Sequence, residues 1–237
     1  MEEDYYDREI KSLEKSSPTD ITDFLSNIKL KFKSKREKDI SLHKERGDKA
    51  IKMIENKNHK ILELGTGQGE MYQSLKEKGF NVTGTDIKKY PETEDLNIVL
   101  CDLNNRFPFR DSSFDVVIAL ELLEHMFNPY KTMEEIKRVL KPNGYAIISM
   151  PNTASLFSRI GQLYEPRFEN LEVYFHHHQP CIKSIRNLIK TQLKIEEEVY
   201  LLGFKKLFFL NYFSKFFLKI NRNLFCGDFM IKARNKK

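Results

Sequence analysis

The spacing of apolar and polar positions changes several times along the 237-residue chain. Between residues 59 and 150, short apolar runs alternate with stretches of helical period. Ile61–Leu64 reads as a buried strand, and a helical pattern follows over Met71–Lys78. A second strand runs over Phe80–Thr85, with Val82 inward, and ends at Asp86; a third spans Asn97–Asp102. Phe114–Glu121 is almost continuously apolar, as a parallel strand covered on both faces requires. Met133, Ile136, Val139 and Leu140 then share one side of a helix over Tyr130–Leu140. Lys141-Pro142-Asn143-Gly144 stops it, since proline cannot continue a helix and Gly144 supplies a turn. The next strand, Tyr145–Met150, closes at Pro151-Asn152. Strands and helices in alternation predict an α/β fold with a parallel sheet.

The flanks add helices and one more pair of strands. Residues 1–16 are charged. Ser17 caps a helix with Pro18 in its first turn, and Ile21, Phe24, Leu25 and Ile28 form its apolar stripe. A second helix over Ser41–Glu55 turns Leu42, Ala50, Ile51 and Ile54 inward. Residues 1–58 are thus expected to form a helical extension or lid, and 59–237 the main domain. Residues 153–180 follow the fifth strand as an insertion on the side where an acceptor pocket would be built. Beyond it come a helix over Ile182–Thr191, a strand over Leu193–Leu202, a Phe-rich basic helix over Lys205–Ile220 and a final strand over Phe225–Ala233.

Composition narrows the class. Hydrophobic residues make up 40% and charged residues 31%, which suits a water-soluble globular protein. A net charge of +6 does not by itself imply a nucleic-acid partner. Cys101, Cys181 and Cys226 are scattered and odd in number, so neither a disulfide framework nor a zinc spacing is expected, and a reducing cytoplasm is the default. The acidic N-terminus lacks a signal-peptide pattern, and no apolar run reaches the ~18 residues of a membrane span. The basic, amphipathic stretch 205–220 reads either as a helix covering the sheet or as a contact with an anionic membrane surface.

The candidate chemistry sits at strand ends. Gly65, Gly67 and Gly69 follow the first strand directly, and such a turn lets a ligand approach the backbone and the helix N-terminus beyond it. The spacing departs from the Gly-x-Gly-x-x-Gly of dinucleotide sites. Glu63 lies inside the strand and Glu70 opens the helix, and two carboxylates there repel a pyrophosphate and attract a cation. Asp86, ~20 residues beyond the first glycine, stands where an acidic strand end accepts both hydroxyls of a ribose. Asp102 is placed either to take a nucleobase amino group, with Leu103 against the ring, or to cap a turn. After the fourth strand comes Glu121-Leu-Leu-Glu124-His125. His125 is a candidate general base, with packing under a loop as its alternative reading, and Glu124 either supports a turn or meets ligand. His176-His177-His178 lines a pocket wall, is plain structure, or holds a metal; adjacent side chains point apart, so at most His176 and His178 share a face and a metal needs help from Glu124 or His125, and no metal site is assigned.

Together, the glycine triplet, Asp86, Cys101-Asp102, Phe114-Asp-Val-Val-Ile118, Glu124-His-Met-Phe-Asn-Pro129 and Leu140-Lys-Pro-Asn-Gly-Tyr145 resemble the ubiquinone-biosynthesis-type branch of class I S-adenosylmethionine-dependent methyltransferases. The resemblance covers residues 59–152. It implies a Rossmann-like seven-stranded sheet of order 3-2-1-4-5-7-6 with the last strand antiparallel. It implies S-adenosylmethionine as cofactor, with methionine-moiety contacts at Gly65 and Gly67; Glu63, Thr66 and Gly69 are further candidates for cofactor binding. Ribose is implied at Asp86, adenine near Asp102 and Leu103, and pocket closure at Glu121; Ile87 and Cys101 are further candidates for cofactor binding. A small-molecule acceptor methylated on oxygen or nitrogen is the expected substrate. RNA methylation is disfavoured, because no RNA module and no aromatic–basic stacking motif is present. A regulatory protein that binds the cofactor without catalysis has the same sequence features.

Overall fold

The computed structural model describes residues 44–156, 158–159, 181–201 and 221–236. The chain divides into two compact units, residues 1–46 and 47–237. Only residues 44–46 of the first are described. The helix expected over 17–28, the histidines 176–178 and the Phe-rich stretch 205–220 lie outside the described residues.

In the second unit, helix α1 ends at residue 52 and precedes β1 (Lys60–Leu64). Then follow α2 (Glu70–Glu77), β2 (Asn81–Asp86), β3 (Ile98–Leu100), β4 (Phe114–Leu120), α3 (Pro129–Val139) and β5 (Leu140–Pro151). The described remainder supplies α4 (Ile182–Lys190), β6 (Lys194–Leu201), the one-turn α5 (Arg222–Phe225) and β7 (Asp228–Arg234). The seven strands form one sheet of order β3-β2-β1-β4-β5-β7-β6. β7 runs antiparallel to both β5 and β6, and the other pairs are parallel. This is the order the resemblance implies.

The two faces of the sheet explain the continuous apolar runs. In β4, Val116 and Ile118 join Ile61, Val82 and Ile147 on one face, beneath Ala50 and Met53 at the α1 end and Tyr72 and Leu75 of α2. Val117 and Ala119 point the other way and join Leu62, Ala146 and Ile148 beneath Met133 and Ile136 of α3 and Ile185 and Ile189 of α4. Successive side chains of a strand alternate in direction, so a strand sandwiched between helices is apolar at every step. The helices need only one apolar side each: Asn128 caps α3, its Oδ1 accepting from the N–H groups of Tyr130 and Lys131, and Pro129 takes the first helical position.

Three boundaries differ from the sequence reading. β3 is shorter than expected and stops at Leu100, so Asp102 belongs to the following turn. β5 begins at Leu140, which already pairs with Phe114, and the Lys141–Gly144 segment is an irregularity inside the strand. Its turn is made by Asn143, at φ 63°; Gly144 serves close approach instead, since a Cβ there would lie 2.9 Å from the carbonyl oxygen of Asp115. Finally, β7 starts at Asp228, after a short helix capped by Asn221, whose side chain accepts from Leu224 N–H.

Candidate functional site

The order of the sheet reverses between β1 and β4, and the C-terminal strand ends on either side of that point form the crevice where open α/β folds bind ligands. The glycine turn crosses the β1 side. It is fastened to β2: the N–H groups of Gly65 and Thr66 both donate to the Thr85 carbonyl at 2.9 Å, and the Thr66 hydroxyl donates to the same oxygen. The Gly67 N–H donates to Asp86 Oδ2 at 2.8 Å. Gly67 itself sits at φ 55°, and a Cβ placed there would meet nothing within 4 Å. The backbone at Gly67 is therefore exposed to an approaching ligand, in a conformation few other residues adopt. Gly69 is the N-cap of α2 and brings no capping side chain, so α2 keeps its first-turn N–H groups pointed at the crevice.

Beneath this turn lies Glu63. It is buried, and its Oε2 has no hydrogen-bond partner. Gly84 lies directly across in β2, so the two Cβ directions share one face, the one on which Thr66 and Tyr72 crowd Gly84. Burial first, and the Asp86 charge second, push the Glu63 carboxyl up to about 8. At neutral pH it is mostly protonated, and a positive charge brought alongside would favour its ionisation. Asp86 is nearly buried at the end of β2; besides Gly67, its carboxylate accepts from the N–H groups of Ile87 and Lys88. Oδ2, which accepts only from Gly67, retains a lone pair for a further donor, whereas Oδ1 already accepts from both Ile87 and Lys88. Ile87, next in the chain, is 69% exposed.

On the far side of β2, Cys101 is half-buried; burial, with the Asp102 and Asp86 charges behind it, raises its thiol pKa. Asp102 is engaged by its neighbours: Oδ1 accepts from the Asn104 backbone and side-chain N–H groups, and Oδ2 from the Asn105 side chain. The turn-capping reading is thus realised, and any further donor to Asp102 shares these oxygens. Leu103 is buried in the core with 6% exposure, which turns its side chain away from the surface.

Across the switch point, Glu121 follows β4 with its backbone in the left-handed region, at φ 50°. Glu124 is fully buried and His125 partly exposed, both in one turn of 3₁₀ helix. Glu121, Glu124 and His125 thus all stand at the C-terminal end of β4. Among the described residues no cluster of three or more metal-ligating side chains occurs. Sequence reasoning missed two residues on this side. Ser149, fully buried in β5, bonds the Glu121 carboxylate; its one signal was a hydroxyl within an otherwise apolar strand. Asn152 ties the end of β5 to α5, its side-chain amide donating to the carbonyls of Asn223 and Cys226.

Comparison with known proteins bears on the segment that carries this site. Residues 62–148 match the model of the methyltransferase domain family. The segment is a class I, S-adenosylmethionine-dependent methyltransferase domain. Similar curated proteins include the ubiquinone biosynthesis O-methyltransferases of Photobacterium profundum and Rickettsia typhi. The first is 30% identical over 115 residues, covering 43% of this chain and 49% of that protein. The second is 36% identical over 100 residues, covering 39% and 41%. The chain thus spans about half the length of the curated relatives it matches. Among solved structures, a SAM-dependent methyltransferase from Archaeoglobus fulgidus superposes with a TM-score of 0.57 at 22% identity, covering 82% of this chain and 94% of that one. The [4+2]-cyclase SpnF superposes with a TM-score of 0.58 at 13% identity, covering 80% and 79%. A methyltransferase domain and a cyclase thus share this fold, so the fold alone does not name the reaction.

S-adenosylmethionine is the cofactor of this family, and the residues present fit it. An unpartnered buried carboxylate oxygen beneath the turn suits a cationic ligand, and the open face of Gly67 leaves room for a close approach to the backbone.

Proposed function

We propose that the chain transfers the methyl group of S-adenosylmethionine to an oxygen of a small-molecule acceptor. The observation that carries this reading is Glu63: a buried acid with an unpartnered oxygen, under a glycine turn open at Gly67. Such a site favours an ammonium or sulfonium over a pyrophosphate. In this reading Gly65, Thr66, Gly67 and Gly69 cradle the methionine moiety, with Glu63 behind them. Asp86 holds the ribose, its carboxylate oriented in advance by the Gly67, Ile87 and Lys88 N–H groups. The exposed Ile87 side chain and the Cys101–Leu103 segment border the adenine.

When bound, the cofactor supplies a methyl group already activated by its sulfonium charge. The tasks left to the chain are alignment of the acceptor and exclusion of water. His125 is assigned as the base that takes the proton of an acceptor hydroxyl, from its place at the end of β4. Oxygen is favoured over nitrogen as the methylated atom because relatives such as those of Photobacterium profundum and Rickettsia typhi are O-methyltransferases.

The test is methyl transfer by the purified full chain from radiolabelled S-adenosylmethionine to a panel of phenols, catechols and amines. Label moving preferentially to oxygen supports the proposal. Tight cofactor binding with no transfer to any pool of acceptors favours a regulatory protein instead.

A further inference from the structure

Glu121 and Ser149 form a pair that no motif announces. Glu121 is the first residue beyond β4 and adopts φ 50°, a region glutamate rarely occupies. Its N–H donates to the Ser149 carbonyl at 3.1 Å and reaches the Ser149 hydroxyl at 3.2 Å. The same hydroxyl donates to Glu121 Oε1 at 2.9 Å. Ser149 itself is fully buried, near the end of β5, in register with Leu120. Its hydroxyl thus fixes both the backbone and the carboxylate of one residue. Backbone strain of this kind persists where the surroundings over-determine it, and it collects at functional sites.

The direction of the pairing matters. The glycine turn and Asp86 belong to β1 and β2, on one side of the switch point. Ser149 belongs to β5, on the other. By bonding Ser149, the Glu121 carboxylate is tied to β5, the strand that precedes residues 153–180. A partly exposed carboxylate held there is an acceptor for an incoming O–H group.

We propose that Ser149 is a positioning residue: it holds the Glu121 carboxylate on the β5 side of the crevice, where that carboxylate accepts a hydrogen bond from a hydroxyl of the methyl acceptor. The inference rests on the methyltransferase reading above and adds the residues that orient the acceptor. Glu121, which the resemblance implies closes the cofactor pocket, thereby acts on the other ligand.

The test uses the full chain with isotope-labelled glutamate carboxyls, loaded with S-adenosylhomocysteine and observed by carbon NMR. Catechol serves as the hydroxyl probe, and the Glu121 signal is assigned by its loss in Glu121→Gln. The Glu121 signal moves as catechol is added to the wild-type protein. In Ser149→Ala the apparent catechol affinity falls about tenfold, the size expected for one hydrogen bond to a charged group. Ser149→Thr, which keeps the hydroxyl, restores the affinity to within about twofold, and calorimetry gives Ser149→Ala a S-adenosylhomocysteine affinity within about twofold of wild type. A Glu121 signal that ignores catechol, an unchanged catechol affinity in Ser149→Ala, or parallel losses for both ligands would overturn the inference. If the wild-type protein fails to bind S-adenosylhomocysteine at all, the methyltransferase reading falls with it; the other outcomes leave that reading standing.

Discussion

The Gly67 N–H donates to Asp86 Oδ2 across 2.8 Å, joining the turn after β1 to the end of β2. One carboxylate therefore shapes the glycine turn and faces the crevice. Asp86→Ala removes the acceptor of three backbone N–H groups, those of Gly67, Ile87 and Lys88. The expected result is a stability loss of about 1–3 kcal/mol by urea denaturation. In the same variant, S-adenosylhomocysteine affinity falls by at least about tenfold, since both the ribose contact and the turn are lost.

Glu63 links cofactor binding to pH. Its folded-state value is about 8, against an ordinary 4.5. Between these values the folded protein holds the proton that the unfolded chain has released. Stability of the ligand-free protein therefore falls as pH rises through this window, and the loss is complete above about 8. A bound cation favours the carboxylate, so binding releases close to one proton near pH 7 and tightens as pH rises towards 8. Calorimetry of S-adenosylmethionine binding in two buffers of different ionisation heat measures that proton. Glu63→Gln abolishes the release; a wild-type heat independent of buffer contradicts the assignment.

Gly84→Ala tests the floor of the site. The added Cβ would stand 2.6 Å from Thr66 Oγ1 and 3.2 Å from the Tyr72 ring. Thr66 cannot yield freely, because its hydroxyl is bonded to the Thr85 carbonyl. Overpacking of this kind costs about 1–3 kcal/mol, visible as a lower denaturant midpoint. The shift of Thr66 also weakens cofactor binding, whereas an equal destabilisation placed far from the site does not.

His125→Ala separates binding from chemistry. S-adenosylhomocysteine affinity stays within about twofold of wild type, while turnover on a hydroxyl acceptor falls by ~10²–10⁴. Retained turnover removes His125 from the role of base.

The core of the fold was legible because its signals are local. Gly65, Gly67, Gly69 and Asp86 are fixed in sequence by a turn that allows few alternatives, and β4 declared its two covered faces by being apolar throughout. What escaped is the choice of partner, local in one case and tertiary in two. The Asp102 side chain is engaged by Asn104 and Asn105, a choice that spacing leaves open between a turn and a ligand. The positive φ at Asn143 rather than Gly144 follows from the close packing of Gly144 on Asp115, and no local rule announces a neighbour 29 residues upstream. The bond between Glu121 and Ser149 exists only once β4 and β5 are in register. Sequence reads the periodicity of each element well, and reads the partner chosen at a strand end poorly.

A positively charged nucleoside in the crevice between β1 and β4 underlies every expectation above. The direct measurement is calorimetric titration of the purified full chain with S-adenosylmethionine and, separately, with NAD. The predicted result is saturable binding of S-adenosylmethionine, with proton release at neutral pH that disappears in Glu63→Gln, and no measurable heat with NAD. Saturable binding of NAD, with no response to the sulfonium compound, would contradict it.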